Sequence, residues 1–209
     1  MQEYDVIVIG GGHAGVDAAA ASARRGARTL LLTMRESDIG AMSCNPSIGG
    51  PGKSQMVAEI AALGGVMPRA ADASGIHFRT LNASHGAATR ALRAQIDRDL
   101  YHTAVMKILD NTPNLTVVFE KVFDLDLQKK TVNNAYSARA IILTTGTCMH
   151  GLVTRGAEKI PSGRLMDNGE YPARSNFDSS RSFLIIGISP MTIRPSTITN
   201  DTVRMGVFI

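Results

Sequence analysis

The stretch "YDVIVIGGGHAGVDAAAASARRGARTLLLT", Tyr4 to Thr33, decides the fold. Its first six residues, Tyr4 to Ile9, form a continuous apolar run rich in Val and Ile. That is the pattern of a strand buried on both faces of a parallel sheet. Gly10-Gly11-Gly12-His13-Ala14-Gly15 follows. An alanine-rich helix is then predicted from Val16 to Arg25, with Gly26 as its stop. "RTLLLT", Arg28 to Thr33, reads as a second buried strand, which completes a βαβ unit of about 30 residues.

Inside this unit, Gly10-x-Gly12-x-x-Gly15 lies between strand and helix, the context that gives the pattern meaning. Gly10 allows the tight turn, Gly12 lets backbone approach a pyrophosphate, and Gly15 lets helix and strand pack closely. The helix N-terminus offers unpaired N–H groups and a partial positive charge. A dinucleotide site is therefore expected. One part is missing: the acidic residue that binds the ribose should end the second strand. Thr33 and Met34 stand there, and Glu36 lies three residues late. This departure counts against a plain NAD site.

Bulk properties agree with a globular α/β chain. Of 209 residues, 44% are hydrophobic, 19% charged and 5% aromatic, and Trp is absent. The core must then be built from Ala, Val, Ile, Leu and Met. A net charge of +4 permits a polyanionic partner without requiring one. Cys44 and Cys148 lie far apart with no ligand-like spacing, so neither a disulfide framework nor a structural zinc is expected, and no metal site. No basic leader precedes the first strand and no apolar run is long enough to span a bilayer. The cytoplasm is the expected compartment.

Further on, a helix is predicted over 54–63, stopped by Gly64-Gly65, and residues 66–88 read as irregular with "SGIHFRTLN" a possible short strand. The strongest helical spacing runs from Thr89 to Leu109, with Leu92, Ile96, Leu100, Ala104, Val105 and Ile108 on one face and Arg90, Arg93, Asp97 and Tyr101 on another. On a helix, Arg93 and Asp97 form an i,i+4 pair. "LTVVFE" (115–120) and "RAIILTTG" (139–146) read as strands, with two short ones between 122 and 132. Past about 163 the sequence turns polar and turn-rich.

"SCNPSIGGPGKSQ", Ser43 to Gln55, nearly spells a nucleoside-triphosphate loop. Gly52, Lys53 and Ser54 fit its end, but Ser47 replaces the first glycine and no strand is expected in "RESDIGAMSCNP" before it. An independent ATP or GTP site is not predicted.

These blocks, together with "ALGGVM", "AADASGIHF", "LNASHG", "RALRAQIDRDLY" and "LTTGT", occur in an order that resembles the GidA/MnmG family, over Tyr4 to about Arg164. The family is the flavoprotein subunit of the enzyme that modifies tRNA wobble uridine. The resemblance implies a Rossmann-like α/β parallel sheet binding FAD, with flanking helices. It implies an FAD-binding domain over 1–164 and a diverged or truncated tail over 165–209. The chain lacks later family blocks, so the flavin domain is expected to be incomplete.

Function by resemblance is addition of a carboxymethylaminomethyl group to C5 of uridine 34. Flavin binding without catalysis, and small-molecule FAD or NAD oxidation, are the alternatives. A folate one-carbon donor would supply the methylene, NADH the reducing equivalents, and a GTPase subunit would be the partner. tRNA would be the substrate, and a homodimer is compatible. Gly10, Gly11, Gly12, His13, Ala14 and Gly15 would hold the FAD pyrophosphate. Asn45, Gly49, Gly50, Gly52, Lys53 and Ser54 would surround the flavin, with Thr145 and Gly146 at a strand's carboxyl end. Cys44 matches a cysteine implicated in catalysis, whose thiolate would add to C6 of uracil. Its other reading is a small buried hydrophobe. Arg90, Arg93 and Arg98 match the family's "RA-RAQ-DR" segment and would contact tRNA phosphates or the cofactor, with a plain helix surface the other reading, above all for Arg98. Cys148 falls outside the family blocks and is expected to be inert.

Overall fold

The computed structural model describes residues 1–43, 45–146 and 153–160. Strand β1 (Gln2–Ile9) leads into helix α1 (His13–Arg24) and strand β2 (Thr29–Thr33), so the βαβ unit read from the sequence is present. A single 3-10 turn (Glu36–Asp38) and strand β3 (Ser47–Gly49) follow, then helices α2 (Lys53–Ala62) and α3 (Val66–Ser74). Strands β4 (Gly75–Leu81) and β5 (Ala91–Ile96) precede helix α4 (Arg98–Asp110) and strand β6 (Leu115–Phe119). Short strands β7 (Leu125–Asp126) and β8 (Thr131–Val132) lead to β9 (Tyr136–Leu143). A hairpin of β10 (Val153–Arg155) and β11 (Glu158–Ile160) ends the described chain.

The main sheet runs β6-β2-β1-β9-β8-β7. Its first four strands are parallel, and β7 and β8 join antiparallel. Alternation along the buried strands sorts their side chains into two cores. Val8 and Leu31 face α1, α3 and α4, where Val16, Ala19, Ala20, Val66, Ala70, Tyr101, Val105 and Leu109 are buried. Ile7, Ile9, Leu30 and Leu32 face the other way and pack with Val122, Val132 and Leu143. Small alanines on α1 let the helix lie close on the sheet.

A second sheet, β3-β5-β4, is wholly antiparallel. Here the sequence reading needs correction. The helix expected from Thr89 to Leu109 is two elements, β5 and α4, separated at Asp97. Asp97 has an extended backbone, and its carboxylate accepts from the N–H groups of Asp99 (3.0 Å) and Leu100 (2.9 Å). That is an N-cap, and it fixes where the helix starts. Leu92 and Leu100, which supported the longer helix, are both exposed, while Tyr101, Val105 and Leu109 form the true buried stripe. Residues 66–88, read as largely irregular, hold α3 and the seven-residue β4.

Candidate functional site

The chain leaves β1 at Gly10, whose φ of +106° favours glycine. Its N–H donates to the Leu32 carbonyl (2.8 Å), so the turn is tied to the end of β2. From the opposite side comes Thr144, just past β9. Its hydroxyl lies 2.9 and 2.8 Å from the carbonyls of Ile9 and Gly10. A Cβ on Gly15 would run into the Gly10 carbonyl, so only glycine permits α1 to sit this close to β1. Around Gly12 the reverse holds: a Cβ there would meet nothing within 4 Å. Gly12 is the N-cap of α1, no side chain caps the helix, and no acidic residue lies in its first turn. Open backbone with unclaimed N–H groups at the positive end of a helix is what an anionic diphosphate requires. By these features the cradle fits a dinucleotide.

The segment after β2 folds back onto this turn. The Gly40 N–H donates to the Gly11 carbonyl (2.8 Å), and buried Ile39 lies against Gly11. Thr33 stands where the ribose acid would be, its hydroxyl also beside Gly11. Glu36 opens the 3-10 turn with its carboxylate 3.9 Å from His102 Nε2.

His13, the first residue of α1, packs against Tyr101 with ring centroids 5.7 Å apart. Its Nε2 is buried with no hydrogen-bond partner among the described residues. Burial, with a smaller contribution from the Lys53 charge, lowers its pKa to about 4, so the ring is neutral at physiological pH. Lys53 opens α2 immediately after the Gly49–Gly52 run.

Gly50 and Gly52 have φ of +102° and +79° and open space where a side chain would be. The Gly50 N–H is not free, however: it donates to the Leu92 carbonyl (2.7 Å). Its carbonyl in turn accepts from the Ser54 N–H (2.9 Å), so this loop is braced by β5 and by α2. Asn45 Oδ1 accepts from the Ser47 hydroxyl (2.6 Å), and that hydroxyl oxygen accepts from Arg93 Nη2 (3.2 Å). Thr145 and Gly146 follow the end of β9, as expected, and Gly146 has open space beside it.

Arg90 and Arg93 are not on a helix. Arg90 ends the loop before β5 and donates to the His85 carbonyl (3.3 Å), whereas Arg93 lies within β5. The expected Arg93–Asp97 pair is absent because Asp97 caps α4. Cys44 and Cys148 lie outside the described residues.

Two contributors escaped the sequence reading. Thr144 was overshadowed by Thr145, although the register pairing Ile9 with Leu143 puts Thr144 beside Gly10. Asp17, on α1, accepts from the Val66 N–H (2.5 Å) and also bonds the Met67 N–H, capping α3 from another helix. Burial raises its pKa despite those bonds. No local signal marks such a cap.

Fold and cradle together define a Rossmann-like dinucleotide-binding protein. The model of the family described as "Glucose inhibited division protein A" matches residues 5–205, and the chain belongs to that family. Solved structures agree. The GidA of Aquifex aeolicus in one crystal form is 43% identical over 78% of this chain and 28% of its own, with a TM-score of 0.72. In the other form it is 42% identical over 83% and 29%, with a TM-score of 0.73. The GidA-related protein from Thermus thermophilus, 17% identical over 82% of this chain and 65% of its own with a TM-score of 0.52, shares the fold. The chain thus spans less than a third of the length of the Aquifex aeolicus proteins.

Proposed function

We propose that this chain is the FAD-binding part of an enzyme that adds a carboxymethylaminomethyl group to C5 of wobble uridine 34 in tRNA. Membership of the family supports this. The observation that carries it is the glycine-built cradle at the end of β1, open at Gly12, closed to any side chain at Gly15 and tied to β2 and to Thr144.

Gly10, Gly12 and Gly15 with the first N–H groups of α1 would hold the pyrophosphate. Gly11, His13 and Ala14 belong to the same turn. His13 Nε2, buried and unpartnered among the described residues, supplies a neutral polar atom beside it. Asn45, Gly49, Gly50, Gly52, Lys53 and Ser54 would line the flavin end, with Thr145 and Gly146 closing the site from β9. Bound FAD supplies hydride chemistry.

Cys44 would act as nucleophile: its thiolate adds to C6 of uracil, and the electron pair moves to C5 and its carbonyl. C5 then attacks the methylene of a folate donor; loss of the C5 proton expels the folate nitrogen and leaves an exocyclic methylene, to which the amine of glycine adds as the thiolate leaves C6. NADH as reductant, the GTPase partner, a homodimer and a cytoplasmic setting belong to the same reading. Among the described residues no helix is long and apolar enough to cross a membrane.

The test is direct. The purified chain is saturated with FAD, desalted, and its visible spectrum recorded; flavin bands leaving with the protein are expected. A colourless protein ends the proposal. Nucleoside analysis of tRNA incubated with the GTPase and donors then separates catalysis from binding alone.

A further inference from the structure

The small sheet carries an arrangement that stability alone does not explain. Arg79 on β4 lies directly opposite Arg93 on β5. Directly paired residues of antiparallel strands project from the same face about 5 Å apart, and like charges in that relation repel. Both side chains are exposed, and neither is in an ion pair among the described residues. The same row continues to Gly49 on β3, which pairs with Arg93. The next row on this face is Ser47, Gln95 and His77. Two guanidinium groups are thus flanked by hydrogen-bonding side chains with no carboxylate among them, and the row ends at the glycine loop. Arg93 is already oriented by its bond to Ser47, which bonds Asn45 in turn, the residue that follows Cys44 in the sequence.

We propose that Arg79 and Arg93 form a two-pronged anion site on the face of the small sheet that grips a phosphodiester of the RNA substrate. Planar guanidinium groups suit phosphate oxygens, and an anion between them removes the repulsion within the pair. The row then orients the nucleotide toward the loop that contains Asn45. Arg90 lies outside it, bonded to the His85 carbonyl. The proposal deepens the tRNA reading above and rests on it.

The experiment titrates an unmodified tRNA transcript and, separately, FAD against the intact chain, its Arg79→Gln and Arg93→Gln variants, and Arg25→Gln as a surface control. Each row variant is expected to weaken tRNA binding about tenfold and to flatten the salt dependence by about one released counterion. In Arg79→Gln, which touches no residue assigned to the flavin, FAD affinity should stay unchanged. Arg79→Gln is the cleaner variant, since it breaks no hydrogen bond seen here, and removing the repulsion should leave its melting temperature level or slightly higher. Unchanged tRNA binding in both row variants overturns the proposal. Loss of FAD affinity in Arg79→Gln with tRNA binding intact overturns it too, by giving the pair to a cofactor phosphate. An equal loss in Arg25→Gln reduces the effect to net charge and has the same consequence. A parent chain that takes up no FAD instead defeats the functional reading, and that result is separate from the tRNA titrations.

Discussion

At the scale of single residues, Gly12 and Gly15 are chemically identical and opposite in consequence. A methyl group at Gly15 collides with the Gly10 carbonyl, whereas one at Gly12 projects into open space. Gly15→Ala should therefore destabilise the fold by about 3 kcal/mol, the upper end of overpacking costs. Gly12→Ala should stay within about 1 kcal/mol of the parent, yet lose at least about tenfold in FAD affinity because its methyl group occupies phosphate space. Urea melts and flavin titrations of both variants check this. The glycine pattern, with Gly12 expected at the phosphates and Gly15 in the packing, was legible from spacing; the atoms that press on Gly15, the Gly10 carbonyl and the Thr144 hydroxyl, were not, because they depend on where β9 and the helix fall. His13 gives a second prediction. Its folded pKa, about 4, is below the ordinary histidine value of 6.5. The unfolded chain therefore takes up a proton first as pH falls. Stability should decline from about pH 6.5 down to about 4, by up to about 3 kcal/mol, and then level off. Asp17 opposes this, since its raised pKa means that protonation relieves a buried charge. The His13 contribution is thus read as the difference between the parent and His13→Phe, whose acid slope should be shallower in urea melts across that range. An unchanged slope would contradict the buried, neutral imidazole.

Elements show where local pattern and tertiary setting part company. β1, α1 and β2 were legible because a buried parallel strand is apolar throughout and the helix is bounded by glycines. The segment 89–109 misled because Leu92, Ile96 and Leu100 are four residues apart, as on a helix, while β5 is a strand of an antiparallel sheet. Its buried residues are Ala91, Ala94 and Ile96. The informative residue was Asp97, whose N-cap role is a local signal set against a longer apolar rhythm. The consequence can be measured. Asp97→Ala removes the acceptor for two N–H groups and should cost about 1 kcal/mol, whereas Asp97→Asn or Asp97→Ser should recover most of it. Thermal melts of the three variants decide. If all three match the parent, the boundary is held by packing of Tyr101 and Val105 rather than by the cap. The same split moves one arginine: Arg93, expected on a helix, is instead brought into register with Arg79 across β5 and β4.

For the whole molecule, the order of the sheet was beyond the sequence. β1 pairs with β9, more than a hundred residues later, and β2 with β6; such pairings join distant segments and leave no local trace. They matter because they place the carboxyl ends of β1, β2 and β9 around one crevice, where open α/β sheets bind ligands. Binding energy realised there should appear as global stability, since Gly10 is tied to β2 and Thr144 to β1. A ligand at about 100 times its Kd adds about 2.7 kcal/mol, which for a chain of this length raises the melting temperature by roughly 5–10 °C. The two halves of FAD should contribute unequally. The cradle at α1 recognises the diphosphate, so ADP should reproduce a large share of the shift produced by FAD. FMN carries the isoalloxazine but only one phosphate and no adenosine, and should shift it little at equal concentration. Thermal melts with FAD, ADP and FMN, in the parent and in Gly12→Ala, test the idea. The ADP shift should vanish in the variant. If FMN stabilises as strongly as FAD while ADP does nothing, recognition lies in the Gly49–Lys53 loop and not at the end of β1.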